Sequence, residues 1–148
     1  MLVQNILNSK SINKIYTIAQ DKTIDDAVSD LSVHRVGALI VSSDGKTIDG
    51  ILSERDIIRE MGKRGTACLT EKVGDMMTGT VSCCSKADSA EMVLETMTKG
   101  RFRHMPILEN GNLIGLISIG DVVKAIISSQ KEFINQLEGY ISCLLYTS

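Results

Sequence analysis

Aromatic residues are scarce in this chain of 148 residues: there is no tryptophan, and aromatic residues make up only 3%. Proteins that bind single-stranded nucleic acid usually stack the bases on aromatic side chains, so the composition argues against that class. The formal net charge of −2 supplies no overall field that would attract DNA or an anionic membrane. We therefore expect nucleic acid not to be a partner of this protein.

Long apolar runs are also missing. No segment approaches the ~18 consecutive apolar residues of a membrane span. Residues 1–7 lack the basic start and the long apolar stretch of a secretory signal. We therefore expect a cytoplasmic protein with no membrane partner and a core built from aliphatic side chains.

The cysteines do not have the spacing of a metal site. Cys68, Cys83, Cys84 and Cys143 form no C-x-x-C pair, and adjacent residues project to opposite faces if they lie in a strand. We predict no metal and expect buried, reduced thiols. With two histidines, no glycine-rich lysine loop and no nucleophile beside a base, we also predict no catalytic residue and no enzymatic activity.

A seven-residue pattern, G-x-x-S-x-x-D, occurs twice. The first copy runs from Gly50 to Asp56 and the second from Gly115 to Asp121. In each copy an apolar pair continues a strand, and the serine then caps the following helix with the aspartate three positions later. A cap alone would explain either copy, since Thr23 to Asp26 has the same spacing without the preceding glycine. Two copies indicate an internal repeat.

The repeated motif also has the chemistry of a nucleotide site. The free N–H groups and positive dipole end of a helix N-terminus favour phosphate. An ionised aspartate beside it can accept hydrogen bonds from two neighbouring ribose hydroxyls. Serine near phosphate and aspartate on ribose together predict a nucleotide.

The two halves of the chain predict the same order of elements. The first half reads as a short helix at 2–8, strands at 15–18, 36–41 and 47–52, a helix capped by Thr23, and a helix from Ser53 with Ile57, Ile58 and Met61 inward. The second reads as strands at 81–83, 102–108 and 113–117, with helices starting at Ser89 and Ser118. Residues 67–79 mirror the N-terminal lead-in, so we expect each half to own its introductory segment around one common core. The predicted units are residues 1–66, 67–130 and 131–148.

The end of the chain predicts one more helix. Apolar residues continue at helical spacing after Lys124, through Phe133, Leu137 and Tyr140. This face would pack either on the body of the protein or on a second subunit. Residues 143–148 have no clear periodicity, and we assign them no role.

These motifs together resemble a tandem pair of CBS domains, a Bateman module. The resemblance is carried by both G-x-x-S-x-x-D copies and by the segments Val36–Val41, Val73–Thr78 and Arg101–Ile107, and it covers roughly residues 3–140. It is strongest to small stand-alone bacterial CBS-pair proteins that act in signal transduction. The implied fold is α/β (α+β): two β-α-β-β-α repeats, each with a lead-in segment, packed with pseudo-twofold symmetry and usually forming homodimers.

The resemblance implies regulation by an adenine nucleotide such as AMP, ATP or NAD, or by S-adenosylmethionine, with no required cofactor. It implies a sensor of energy or redox state that acts on an unknown client protein. Asp56 and Asp121 match the ribose-binding aspartate, and Ser53 and Ser118 match the nearby hydroxyl. The resemblance further implies two base pockets, one lined by Thr17, Ile18, Val36, Gly37 and Ala38 and the other by Thr80, Val81, Arg103, His104, Met105 and Pro106.

The two repeats differ in one four-residue segment in a chemically useful way. Gly37-Ala38-Leu39-Ile40 of the first repeat corresponds to Arg103-His104-Met105-Pro106 of the second. One guanidinium group can bind two phosphate oxygens at once, so Arg55, Arg101 and Arg103 are candidates for phosphate contact. A solvated basic edge and a structural His104 are the alternatives.

Three other functions fit parts of the sequence. A scaffold with empty clefts would use the C-terminal apolar face to join subunits or a client. A DNA-binding protein would use the basic cluster at residues 99–104. An accessory domain related to IMP dehydrogenase would share the resemblance, but 148 residues cannot also contain that enzyme's catalytic barrel.

Overall fold

The computed structural model of the chain describes residues 1–9 and 14–147, with side chains through residue 144. The first half contains α1 (Val3–Ser9), β1 (Thr17–Ile18), α2 (Ile24–His34), β2 (Ala38–Val41), β3 (Gly50–Ser53) and α3 (Glu54–Arg64). A 3₁₀ helix (Gly65–Thr70) and α4 (Val73–Met76) lead into the second half, which contains α5 (Ala90–Gly100), β4 (His104–Glu109), β5 (Asn112–Ser118) and α6 (Ile119–Thr147). No described helix combines the length and apolar character that crossing a membrane requires.

Each half is a small sheet with helices packed against it. In the first, β1 is parallel to β2, and β2 is antiparallel to β3. In the second, β4 and β5 are antiparallel, and a single parallel bridge from Cys84 to Ile107 takes the place of a third strand. The strand predicted at 81–83 is therefore wrong. The mixed α and β content and the repeated order confirm the predicted fold class.

Local signals in the sequence set the helix starts. Thr23, Ser53 and Ser89 are N-caps whose side chains accept a hydrogen bond from the backbone N–H three residues later. The helices α2 and α5 both end at an arginine in the left-handed conformation, Arg35 and Arg101. These matching ends confirm that the two halves repeat one design.

The lead-in segments are exchanged between the halves. Val3 and Ile6 of α1 are buried in the apolar cluster of the second half, together with Val93, Met105 and Ile117. In the second lead-in, Val73 is buried in the cluster of the first half, and Met76 and Met77 pack against it. The bridges Leu2 to Ser89 and Thr23 to Lys72 place each lead-in beside a helix start of the other half. Each half has its own lead-in along the sequence, as expected, but each lead-in packs against the other half. The buried apolar residues form two clusters, one in each half, in place of the expected common core.

The motif glycines explain how the exchange fits sterically. A Cβ at Gly50 would lie 2.6 Å from Met77 Sδ and 2.7 Å from the Thr78 carbonyl oxygen. A Cβ at Gly115, the equivalent position, would lie 2.8 Å from Leu7 Cδ1. All three distances are shorter than those at which real Cβ atoms meet other heavy atoms. The glycine that opens each motif therefore makes room for the lead-in of the other half.

The last helix is longer than predicted. The helix α6 is continuous for 29 residues from Ile119, so residues 131–147 extend the last helix of the repeat and do not form a separate element. Beyond Ser129 its described side chains, through residue 144, are all exposed. Of the two packing partners considered for its apolar face, the body of the protein is not the one in contact over this stretch.

Candidate functional site

The first copy of the motif forms a complete capping box at the start of α3. The Asp56 N–H donates to Ser53 Oγ at 3.2 Å, while the Ser53 N–H and hydroxyl both donate to Asp56 Oδ2 at 3.0 Å. The other carboxylate oxygen, Oδ1, lies 3.7 Å from an Arg59 guanidinium nitrogen. The cap thus fixes the carboxylate through one oxygen, and the second oxygen has only a long contact with a half-exposed arginine.

The second copy is built in the same way. The Ser118 N–H donates to Asp121 Oδ2 at 2.9 Å, and the Asp121 N–H donates to Ser118 Oγ at 3.1 Å. The equivalence extends to the neighbouring strand: the Glu54 N–H donates to the Gly37 carbonyl at 2.9 Å, and the Ile119 N–H donates to the Arg103 carbonyl at 2.8 Å. Gly37 and Arg103 therefore occupy corresponding positions, as predicted.

A cavity of about 570 Å³ lies at the seam between the repeats, next to the start of α3. Residues from both repeats and from the segment that joins them line it: Gly37, Ile51, Ser53, Glu54, Arg55, Asp56, Ile58, Arg59, Thr78, Thr80, Val81, Ser82, Gly100, Arg101, Phe102, Arg103 and His104. Its volume is within the range of small-molecule sites.

The cavity brings together predicted residues that were assigned to two different pockets. Gly37, expected in one pocket, lines the same cavity as Thr80, Val81, Arg103 and His104, expected in the other. A Cβ at Gly37 would lie 3.3 Å from two atoms of the His104 imidazole. The assignment of Gly37 to a separate pocket is wrong, because the pseudo-twofold arrangement sets the start of β2 against the start of β4.

Other predicted residues are placed elsewhere. Ile18, Ala38, Met105 and Pro106 are buried and do not line the cavity. Thr17 is exposed at the sheet edge, and Val36 lines a separate apolar groove of about 280 Å³ between α2 and α3.

Ser118 and Asp121 are not among the residues that line the cavity. The bridging residues Cys84 and Ile18 correspond, so the lead-in positions equivalent to Thr78 and Thr80 are 12 and 14. Residues 10–13 lie outside the described chain. The prediction of a second pocket at Ser118 and Asp121 therefore stays a prediction.

The cavity also contains residues that the sequence motifs alone did not single out. Glu54, Arg59, Ser82 and Phe102 line it in addition to the predicted set. Arg59 follows Arg55 by one helical turn, and that i, i+4 spacing was a usable signal. Ile58 was expected to face inward, but it is 66% exposed and its side chain borders the cavity. Tertiary contact between the repeats was needed to find Phe102 and Ser82.

The lining is strongly biased towards binding an anion. It includes four arginines, Arg55, Arg59, Arg101 and Arg103, against the two carboxylates of Glu54 and Asp56. All four arginines are solvent-exposed, so each can move onto a ligand without first breaking a buried contact. Guanidinium groups suit phosphate because each offers two parallel N–H donors.

The state of the four thiols is only partly as expected. Cys84 and Cys68 are buried, whereas Cys83 and Cys143 are exposed, so the expectation of four buried thiols is wrong. Burial raises the pKa of Cys84 to about 12, with smaller contributions from the charges of Asp88 and Cys83, and burial also raises the pKa of Cys83. Among the described residues, no cluster of three or more histidine, cysteine, aspartate or glutamate side chains could hold a metal ion.

Known proteins match both halves of the chain. The family model for the CBS domain matches residues 5–63 and 73–128. A mitochondrial CBS domain-containing protein of Arabidopsis thaliana is 35% identical over 125 residues, which is 82% of this chain and 61% of that protein. This chain therefore spans less than two thirds of that relative's length.

Solved structures agree with the sequence match. A CBS-domain containing protein from Agrobacterium tumefaciens superimposes with a TM-score of 0.80 at 38% identity, covering 84% of this chain and 98% of that one. A CBS domain pair solved with 5′-methylthioadenosine and S-adenosyl-L-methionine has a TM-score of 0.74 at 19% identity, covering 87% of this chain and 98% of that one, and shares the fold. The repeated motif, the exchanged lead-ins and these matches lead to one conclusion: the chain belongs to the CBS domain family and is a tandem CBS pair, a regulatory module.

Proposed function

We propose that this CBS pair binds an adenine nucleotide in the cavity between its repeats and acts as a sensor of cellular energy or redox state. The observation that carries the proposal is the convergence of Ser53 and Asp56 with four arginines on one cavity of about 570 Å³. A simple helix cap does not require such surroundings. The fold neighbour solved with two adenosine-containing ligands supports the same chemical class.

The charges of the lining favour ligands that carry phosphate. Four guanidinium groups attract AMP, ATP or NAD, and they disfavour the positively charged sulfonium of S-adenosylmethionine. In this arrangement the free side of the Asp56 carboxylate accepts from ribose hydroxyls, and Arg101 and Arg103 reach the phosphates from the other repeat. The apolar edges of Val81 and Phe102 are available to the base.

A ligand bound this way would join the two repeats. Asp56 belongs to α3 of the first repeat, whereas Arg101 and Arg103 precede β4 of the second, so one molecule contacts both sides of the seam. A ligand changes a conformational equilibrium only if it binds one arrangement more tightly than another. We propose that filling the cavity favours one arrangement of the repeats within a cytoplasmic homodimer, and that a client protein recognises that arrangement.

The test is calorimetric titration of ligand-free protein with AMP, ATP, NAD and S-adenosylmethionine. We expect saturable binding of at least one phosphate-bearing ligand, with weaker binding of S-adenosylmethionine. Asp56→Asn should weaken binding about 10- to 100-fold, because a charge-assisted hydrogen bond to ribose is replaced by a neutral one. The double variant Arg101→Ala with Arg103→Ala should weaken the binding of ATP more than the binding of AMP.

The chain offers a matched control for the aspartate. Asp26 makes the same capping box with Thr23 at the start of α2, and neither residue lines the cavity. Asp26→Asn should therefore change the stability of the fold as much as Asp56→Asn does, but it should leave the affinity for nucleotide unchanged. If none of the four ligands produces heat or raises the melting temperature, the nucleotide proposal is wrong and the scaffold function takes its place.

A further inference from the structure

The outer part of α6 carries an exposed stripe of large apolar side chains. The stripe consists of large side chains that are 45–64% exposed: Ile127, Phe133, Ile134, Leu137, Tyr140, Ile141 and Leu144. Monomeric proteins rarely expose a contiguous apolar surface of this kind. The helix rises 1.5 Å per residue, so the stripe is roughly 27 Å long.

The stripe has the heptad spacing of a helix–helix seam. Ile127, Ile134 and Ile141 repeat every seven residues, and Gln130, Leu137 and Leu144 repeat every seven residues three positions later. Isoleucine in the first of these series and leucine in the second is typical of two-stranded coiled coils. A seam of this kind is self-complementary, which favours a second copy of the same helix as its partner.

Charge and ring positions decide the relative direction of the two helices. In an antiparallel pair with Ile134 opposite Leu137 of the second copy, Lys131 lies beside Glu138 of the second copy, and Phe133 lies beside Tyr140. Each of these contacts occurs twice by symmetry. A parallel, in-register pair instead sets Phe133 beside Glu138 and leaves Lys131 without its acidic neighbour. Only the antiparallel arrangement matches opposite charges and aromatic rings.

The surface is close to what a stable pair requires. If a large apolar side chain offers roughly 180 Å² and half of it is exposed, seven of them give on the order of 600 Å² per chain, against ~800 Å² per partner in a standard interface. No like charges meet in the antiparallel seam, since Glu132 lies on the opposite face of the helix.

We propose that residues 127–144 of α6 form an antiparallel coiled coil with the same segment of a second copy. This deepens the homodimer proposed above by naming the surface that holds it. The nucleotide cavity rests on different residues, so either proposal can fail without the other.

The experiment exchanges the two charges and measures self-association by sedimentation. Lys131→Glu alone and Glu138→Lys alone each set like charges together, and each should weaken self-association about tenfold or more. The double variant should restore it. Mixing the two single variants in equal amounts should also restore it, because each heteromeric pair then holds opposite charges at both contacts.

Two controls keep the result interpretable. Glu132→Lys makes the same change of charge on the outer face and should leave self-association unchanged. Leu137→Asp, which places a charge in the centre of the seam, should weaken it at least 100-fold without unfolding the body, since Leu137 contributes to neither apolar cluster of the core.

The outcomes separate the two proposals. If the single variants associate like the unchanged chain, or if the mixture fails to restore association, the antiparallel coil is wrong and any dimer uses another surface. If the unchanged chain is monomeric at all concentrations, both the coil and the homodimer are wrong. Titration with nucleotide remains a separate test of the cavity in each case.

Discussion

The exchanged lead-ins predict unequal effects of the same substitution at the two motif glycines. Gly50 and Gly115 are equivalent in the repeats, and neither has a positive φ, so alanine is allowed by the backbone at both. A new Cβ at Gly50 would meet the Thr78 carbonyl oxygen at 2.7 Å, and backbone cannot move aside cheaply. A new Cβ at Gly115 meets only the ends of the flexible side chains Leu7 and Ile107, at 2.8 and 3.2 Å.

The expected magnitudes follow from those contacts. Gly50→Ala should cost about 3 kcal/mol of the free energy of unfolding, because the joining segment must shift and two backbone hydrogen bonds between Ile51 and Thr78 are strained. Gly115→Ala should cost about 1 kcal/mol, since side-chain rotation relieves the overlap and alanine reduces the entropy of the unfolded chain. At this chain length, 3 kcal/mol corresponds to a fall of roughly 6–12 °C in melting temperature.

The assay is urea denaturation of both variants beside Gly62→Ala. Gly62 lies inside α3 with no atom near a new Cβ, so alanine there should stabilise the protein by about 0.5–1 kcal/mol. Gly50→Ala should also weaken nucleotide binding, because Thr78 lines the cavity. Equal destabilisation at Gly50 and Gly115, or a neutral Gly50→Ala, would refute the exchange of lead-ins described above.

Two further predictions concern ionisable groups. Backbone N–H groups of Thr47 and Lys46 donate to Asp44 and hold its pKa well below its usual range. The ionised form therefore stabilises the folded state above pH ~4, and this stabilisation is lost as the pH falls below that value. Asp44→Asn should therefore flatten the acid side of a plot of melting temperature against pH, and an unchanged slope would contradict the assignment. Cys84 is buried with its pKa raised to about 12, so iodoacetamide should alkylate it much more slowly than exposed Cys143, as read by mass spectrometry of peptides from the native protein. Equal rates at Cys84 and Cys143 would show that the sheet edge opens readily.

Much of the local structure follows from short-range signals in the sequence. The side chains of Thr23, Ser53 and Ser89 accept hydrogen bonds within their own helix starts, so their roles depend on residues at most three positions away. The wholly apolar run that contains β2 is buried at all four strand positions, as expected for a strand covered on both faces. The same local reasoning failed at 81–83, where the structure has only a single bridge from Cys84 to Ile107 in place of a strand.

The sequence by itself determined the repeat, the fold class, the motif residues Ser53 and Asp56, and the family. These depend on spacing and side-chain chemistry that recur along one chain. Only the tertiary structure decided that the lead-ins are exchanged, that Gly37 and His104 share one cavity, and that Ser82 and Phe102 join it. The physical reason is that a cavity at a seam is lined by residues distant in sequence, and the pseudo-twofold packing that brings them together leaves no periodic trace within either repeat.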